Sequence, residues 1–300
     1  MTKIALGTTQ FGLNYGITNR KGQLSASEIV DILSYAERAG IRAIDTAAAY
    51  GGAEAALGQH LARGHRYRIV TKLPGLPNGI TPAQVPAWLR RAFDESLARL
   101  HAQEIYGLLM HSVTDLLHPE LGRAVWKEML ALREAGLVKK IGASVYGQIE
   151  IDYLLEHLPL DLIQLPISIL DQRPLDNGAL KKLKASGVEI HARSLLLQGV
   201  LALRPDQLPK HLAKLAPTLR NFHTALQSTG LSAVQAAVAF ANAVPEIDQA
   251  VFGVTSVAEL AEITNAAKSV KLPLAWFKDF SVHDEKLINP SQWRHQEELF

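Results

Sequence analysis

Eight short apolar segments recur along the chain, and most of them are followed by a polar or glycine break and then by a helical pattern. Most of the segments are continuously apolar rather than alternating, which is typical of parallel strands buried on both faces. The candidate strands cover residues 4–6, 41–46, 67–73, 105–111, 140–145, 162–168, 189–195 and 250–254. This alternation predicts an α/β fold with a mainly parallel sheet.

Amphipathic windows lie between several of the candidate strands. They cover residues 25–39, 81–100, 119–135, 175–185, 232–243 and 257–267. The first window begins at Ser25 or Ser27, both good N-cap residues, and Gly40 marks its end. Thr81 and Pro82 predict a similar start for the second window, because proline suits the first turn of a helix.

Eight strand–helix units predict a closed (β/α)8 barrel, the TIM-barrel fold, as a single domain over residues 1–300. The alternative is a doubly wound sheet, which usually carries a glycine-rich phosphate loop after its first strand. Residues 7–12 do not have the spacing of such a loop. Two regions depart from the repeat, an extended connection at 202–230 and an aromatic-rich tail at 271–300.

Composition excludes several classes of function. The 300 residues include no cysteine, so disulfides, thiolate nucleophiles and cysteine-ligated metals are excluded. Lys and Arg number 31 against 29 Asp and Glu, and this small basic excess argues against a nucleic-acid partner. The histidines lack the paired spacing of a metal site, and no apolar run has the length of a membrane span or a signal peptide. We therefore expect a cytoplasmic protein that needs no metal.

Polar side chains stand where the predicted strands end, which is the rim that carries the chemistry in such barrels. Asp45 ends the second strand, and Tyr50 follows five residues later. Lys72 ends the third strand and His111 the fourth. Tyrosine is a weak acid at neutral pH, and a neighbouring ammonium such as Lys72 would stabilise its phenolate.

Asp45 and His111 would support Tyr50 as a proton donor. Asp45 would keep Lys72 charged and fixed, because a buried ammonium without a partner tends to lose its proton. His111 would donate a hydrogen bond to a carbonyl oxygen or share the proton with Tyr50. The arrangement suits addition of a hydride from a nicotinamide to a carbonyl carbon, with Tyr50 protonating the oxygen.

Short motifs occur in a fixed order along the chain. They are DTAAAYG at 45–51, TK at 71–72, LLMHS at 108–112, IGAS at 141–144, Gln164, and ARS at 192–194 followed by Gly199. Together these motifs resemble the aldo-keto reductase superfamily over essentially the whole chain. The stretches 231–237 and 251–254 also resemble the layout of that family. The resemblance implies a (β/α)8 barrel, use of NADP(H) or NAD(H) without a metal, and reversible interconversion of carbonyl and alcohol.

The resemblance also implies roles for individual residues. The family's catalytic positions fall on Asp45, Tyr50, Lys72 and His111. The residues expected to contact the cofactor are Thr8, Asp45, Ser144, Gln164, Arg193, Ser194, Leu195, Gly199, Gly253, Thr255, Ser256 and Glu262. Arg193 stands where the family commonly stacks an aromatic residue on the nicotinamide, and a cation there would favour the reduced ring over the oxidised one.

The choice of coenzyme depends on the adenosine end of the site. Relatives often place Lys or Arg there to bind a 2′-phosphate, whereas residues 253–262 contain neither, and Glu259 stands where an arginine is frequent. Thr255 and Ser256 at a helix start can still bind a phosphate through hydroxyl and N–H groups. On the family pattern, NADP(H) is favoured over NAD(H).

Three functions stay open at this point. The first is an oxidoreductase for a small carbonyl, alcohol or sugar, with Phe11, Tyr15 and Tyr146 as candidate substrate contacts. The second is a cofactor-binding sensor or regulatory barrel with little turnover. The third is a Schiff-base aldolase that uses Lys72, which would leave Tyr50 without a role. The natural substrate and the oligomeric state have no signal in the sequence.

Overall fold

The strands of the computed structural model, which describes residues 3–61 and 64–293, close into a barrel. All eight strands are parallel and pair in sequence order, and the last strand pairs with the first. They are β1 (Ile4–Gly7), β2 (Ala43–Asp45), β3 (Arg68–Leu73), β4 (Ile105–Met110), β5 (Val138–Ser144), β6 (Leu162–Pro166), β7 (Glu189–Arg193) and β8 (Gln249–Gly253). The predicted α/β class and single-domain (β/α)8 barrel are confirmed, since a doubly wound sheet would be open.

Helices cover the outside of the barrel. They are α1 (Thr9–Gly12), α2 (Ala26–Arg38), α3 (Ala53–His60), α4 (Val85–Leu100), α5 (Thr114–Leu117), α6 (Pro119–Glu134), α7 (Gln148–His157), α8 (Arg173–Asp176), α9 (Ala179–Ala185), α10 (Ala216–Thr229), α11 (Ala233–Ala243), α12 (Val257–Ser269) and α13 (Glu285–Ile288). The six predicted windows correspond to α2, α4, α6, α9, α11 and α12. Helices α3 and α7 complete the barrel and were not predicted.

Helices α3 and α7 lack a clean apolar stripe. The inner face of α3 carries Glu54, which is buried against Thr71 and Arg99, so a glutamate interrupts the apolar pattern. Helix α7 exposes Ile149, whose surface is 84% accessible. Hydrophobic periodicity, the main signal for a helix in a sequence, is therefore weak in both segments.

The predicted start of α2 is correct, and the predicted start of α4 is wrong. Ser25 caps α2 and forms a reciprocal pair with Glu28, as a capping box does. Helix α4 begins at Val85 rather than at Thr81, and residues 81–84 form a turn closed by a hydrogen bond from the Gln84 N–H to the Thr81 carbonyl. Pro86 explains the shift, because proline is tolerated only in the first turn of a helix.

The two irregular regions pack on each other. The extended connection at 202–230 contains α10, and the Phe222 ring of this helix lies 5.4 Å from the Phe280 ring of the tail, centroid to centroid. Phe277 of the tail contacts Phe240 of α11 in the same edge-on manner, at 5.2 Å. The tail therefore packs on the barrel as far as Trp293, and the remainder of the predicted tail lies outside the described residues.

Candidate active site

The four predicted catalytic residues meet at the C-terminal rim of the barrel. The Lys72 ammonium is fully buried and donates to both Asp45 carboxylate oxygens, at 2.7 and 2.9 Å. It also donates to the Thr46 carbonyl at 2.9 Å and contacts the Tyr50 hydroxyl at 3.4 Å. The His111 ring stands edge-on to the Tyr50 ring, with centroids 5.7 Å apart.

Lys72 is held in its charged form. Burial opposes the charge, but the Asp45 carboxylate and Tyr50 outweigh it, so the pKa of Lys72 is raised above its usual value. A protonated amine has no free electron pair with which to attack a carbonyl. The geometry therefore fits an ammonium that stabilises a phenolate better than it fits a Schiff-base nucleophile.

His111 is neutral at physiological pH. Burial lowers the pKa of His111 to about 4, and the positive charges of Lys72 and Arg193 act in the same direction. A neutral imidazole keeps one N–H donor, which can bind a carbonyl oxygen. At neutral pH His111 can therefore donate a hydrogen bond to a ligand but carries no extra proton to give.

A single cavity of about 600 Å³ extends from these residues across the ends of β7 and β8. The predicted residues that line it are Asp45, Tyr50, His111, Ser144, Gln164, Arg193, Ser194, Leu195, Gly199, Gly253, Thr255 and Glu262, with Tyr15 and Tyr146 as candidate substrate contacts. Lys72 lies behind this surface and contacts Tyr50, which lines it. The volume lies within the range of small-molecule and cofactor sites, which is about 300–1,000 Å³.

Three predicted contacts do not line this cavity. Thr8 is fully buried, and its hydroxyl donates to the Asp45 backbone carbonyl at 3.0 Å. Ser256 uses its hydroxyl to cap α12, accepting from the Glu259 N–H at 3.2 Å. Phe11 is 1% exposed and belongs to the hydrophobic core. In each case the local structure of the loop satisfies or buries a side chain that the sequence suggested for a ligand.

Several residues that line the cavity were not predicted. They are Gln10, Leu13, Leu196, Gln198, Pro290 and Ser291, among others. Gln198 precedes the predicted contact Gly199, so its position in the chain was a usable signal. Pro290 and Ser291 come from the tail, and only the long-range packing of that segment brings them to the cavity.

Gln164 and Ser144 form a polar pair on the cavity wall. They are register partners in β6 and β5, and both are buried. The Gln164 amide donates to Asp45 Oδ1 at 2.7 Å, whereas its carbonyl oxygen has no hydrogen-bond partner among the described residues. A buried acceptor without a donor costs about 1–3 kcal/mol. A ligand that brings an N–H to Gln164 and an acceptor to the Ser144 hydroxyl, as a nicotinamide carboxamide does, fits this wall.

The backbone after β7 turns sharply along the cavity. Ser194, Leu197 and Gln198 have positive φ angles of 61°, 48° and 55°, and Gly199 follows at 91°. Such conformations are costly for residues other than glycine and occur preferentially at functional sites. A β-carbon on Gly199 would lie 2.0 Å from the Thr18 hydroxyl, so the loop after β1 contacts this loop directly.

Arg193 ends β7 and faces the catalytic residues. Its guanidinium lies 4.3 Å from the centre of the Tyr146 ring and donates to the Val145 carbonyl at 3.1 Å.

In the described part of the chain, no group of three His, Cys, Asp or Glu side chains is placed to hold a metal ion. No helix of residues 3–61 or 64–293 has the length and apolar character to cross a membrane.

Comparisons with known proteins agree with this geometry. The model of the Aldo/keto reductase family matches residues 3–283. The chain is 30% identical over 232 residues to the NADH-specific methylglyoxal reductase of Escherichia coli (strain K12), a match that covers 67% of this chain and 69% of the relative.

The fold is also that of a solved structure, an aldo-keto reductase from Bacillus halodurans in its holo form. The TM-score is 0.75 at 19% identity, and the match covers 99% of this chain and 95% of the other. The predicted preference for NADP(H) gains no support, because the curated relative is NADH-specific. The family match, the barrel and the four residues at its rim together show that the chain belongs to the aldo/keto reductase family, whose members are oxidoreductases that act on small carbonyl compounds with nicotinamide cofactors.

Proposed function

We propose that the protein reduces a small aldehyde or ketone, and that Tyr50 gives the proton to the carbonyl oxygen. The observation that carries the proposal is the contact of 3.4 Å between the Lys72 ammonium and the Tyr50 hydroxyl at one end of the cavity. A reduced nicotinamide dinucleotide bound along the cavity would supply the hydride. The Gln164 carbonyl oxygen, which no described residue binds, and the Ser144 hydroxyl would hold its carboxamide.

Each residue of the rim has a defined part in the proton transfer. Neutral His111 donates a hydrogen bond to the carbonyl oxygen and holds it beside the Tyr50 hydroxyl. When Tyr50 releases its proton, the Lys72 ammonium stabilises the phenolate that remains. Lys72 keeps its own proton throughout, because the Asp45 carboxylate raises its pKa. The same groups support the reverse reaction, in which the Tyr50 phenolate takes a proton from an alcohol.

The residues around Tyr50 suit a small substrate. Leu13, Tyr15 and Tyr146 line the cavity beside the catalytic residues. Burial raises the pKa of Tyr15 to about 12, so its hydroxyl stays protonated, and Gln198 donates a hydrogen bond to it at 3.2 Å. Because the curated relative is a methylglyoxal reductase, a 2-oxoaldehyde is the first substrate class to test. A cytoplasmic location and the lack of a nucleic-acid partner stay predictions.

Single-turnover measurements test the proposal and separate an enzyme from a regulatory barrel. The purified protein is loaded with NADH, and the fluorescence of the reduced ring is followed after addition of methylglyoxal and a panel of aldehydes. The expected result is oxidation of the bound coenzyme within seconds by at least one carbonyl. A barrel that binds the coenzyme but leaves it reduced with every carbonyl would be a sensor rather than a reductase.

The substitution Tyr50→Phe tests whether Tyr50 is the general acid. It keeps the ring and removes the hydroxyl, so the coenzyme should still bind while the rate falls by at least about 100-fold, the scale of one general acid. Tyr153→Phe is the matched control, because Tyr153 packs on His157 of α7 and does not line the cavity. Equal rates in the Tyr50 and Tyr153 variants would contradict the proposed role.

A further inference from the structure

Two carboxylates stand at the end of the cavity that is formed by α12. Glu259 and Glu262 line the cavity together with Thr255 and Ile263, and the two glutamates lie three residues apart, on one face of the helix. The charged residues that line the cavity within the described chain are Asp45, Arg193, Glu259 and Glu262. The cavity therefore has a cation, Arg193, near the catalytic residues and only anions at α12.

Glu259 occupies the place where this helix would bind a phosphate. A helix N-terminus attracts anions because its first N–H groups are free and its dipole is positive there. Here the Glu259 carboxylate accepts from the Thr255 N–H at 2.6 Å and from the Thr255 hydroxyl at 2.9 Å. Ser256 caps the Glu259 N–H itself. Both Thr255 donors are thus already bound by Glu259, and the Ser256 hydroxyl is engaged as the cap of α12.

The contacts of the two glutamates in the described structure are with neutral groups. Glu262 accepts a hydrogen bond from Ser232, which fixes its carboxylate on the cavity wall. The ammonium of Lys21 reaches the Thr255 carbonyl at 3.4 Å, but it lies closer to the Glu28 carboxylate, at 2.8 Å. Glu28 is therefore the salt-bridge partner of this lysine, and among the described residues neither Glu259 nor Glu262 forms a salt bridge.

We propose that Glu259 and Glu262 make the cavity select NADH over NADPH. The inference rests on the proposed function and assigns these residues to the adenosine ribose. A 2′-phosphate carries about −1.5 to −2 charges at neutral pH and would be repelled by both carboxylates. A free ribose hydroxyl instead donates hydrogen bonds to a carboxylate, as in dinucleotide folds where an acidic residue marks NAD and an arginine marks NADP.

Binding measurements on four proteins test the selection. NADH and NADPH are titrated by fluorescence into the wild type, Glu259→Gln, the double variant Glu259→Gln with Glu262→Gln, and Glu120→Gln. Glutamine keeps the size and an acceptor oxygen but removes the charge. Glu120 is the matched control, because it is an exposed first-turn glutamate of another helix, α6, and does not line the cavity.

The measured quantity is the ratio of the dissociation constants of NADPH and NADH for each protein. The wild type and Glu120→Gln bind NADH at least about tenfold more tightly than NADPH, since two charges act on the phosphate at close range. The double variant reduces this ratio at least about fivefold, mainly through tighter binding of NADPH. Raising the salt concentration reduces the wild-type ratio, because screening weakens repulsion between exposed charges.

A second comparison needs no variant and no nicotinamide. Calorimetric titration of the wild type with ADP and with ADP that carries a 2′-phosphate should show the same preference for the form without the phosphate. Equal affinity for NADH and NADPH, or a ratio that the double variant leaves unchanged, overturns the selection and leaves the proposed function in place. If neither dinucleotide binds, the proposed function falls, and the selection falls with it.

Discussion

The backbone carbonyl of Tyr50 lies directly against the Cα of Gly12, so that a β-carbon on Gly12 would stand 1.8 Å from the carbonyl oxygen. Gly12 belongs to α1 after the first strand, and Tyr50 belongs to the loop after the second. Gly51 makes the reciprocal approach with a φ of 54°, which favours glycine. The position of the proton donor therefore depends on two glycines in different loops.

Gly12→Ala should displace Tyr50 and lower the turnover number. A methyl group has no room against a backbone oxygen, and a shift of about 1 Å at a reacting group costs on the order of 100-fold in rate. Binding of NADH should change far less than the rate. Gly52→Ala is the control, since a β-carbon at Gly52 meets no atom within 4 Å. The prediction is wrong if both alanine variants turn over equally well.

Removal of the Lys72 ammonium should abolish turnover and destabilise the fold. In Lys72→Met, the Asp45 carboxylate stays buried without its partner, which costs about 3–5 kcal/mol. Urea denaturation measures this loss in the free energy of unfolding. Adding Asp45→Asn to this variant should restore part of the stability without restoring turnover. Full stability in Lys72→Met alone would contradict the ion pair seen here.

The low pKa of His111 predicts a stability difference that depends on pH. Its pKa is about 4 in the folded chain against an ordinary 6.5, so the unfolded chain takes up this proton first as the pH falls. The stability that neutral His111 contributes is present above pH 6.5 and is lost as the pH falls toward about 4. The wild type should therefore lose more stability over this range than His111→Gln. A constant difference between the two proteins, measured by urea denaturation at several pH values, would argue against a neutral, buried His111.

Arg193→Tyr tests whether the guanidinium distinguishes the redox forms of the coenzyme. A cation beside the positively charged oxidised ring is unfavourable, so the wild type should bind NADH more tightly than NAD⁺. Tyrosine removes the charge and should reduce this ratio by about threefold, which corresponds to about 0.65 kcal/mol. Fluorescence titration with NADH, and competition by NAD⁺, measure the two affinities. An unchanged ratio in the variant would exclude this role for Arg193.

The barrel and its catalytic rim could be predicted because both have local signals. A buried parallel strand is a short apolar run, and the side chain that follows it reaches the same rim as its neighbours. Asp45, Tyr50, Lys72 and His111 were found in this way and lie together in the structure. The start of α2 was likewise visible from its cap, Ser25.

The remaining features depend on contacts between distant segments. Phe11 follows a strand, but its ring turns into the core, and the sequence does not show which way a loop side chain points. Pro290 reaches the cavity only because the tail packs across the barrel. Glu259 could be read as a departure from the family pattern, yet its bonds to Thr255 became visible only in the folded loop.

The contact between Thr18 and Gly199 joins two loops that line the same cavity from different strands. Because there is no room for a side chain at Gly199, a substitution there would push the two loops apart and alter the cavity wall on both sides. An enzyme whose turnover is limited by coenzyme release would show such a change in its rate of coenzyme exchange.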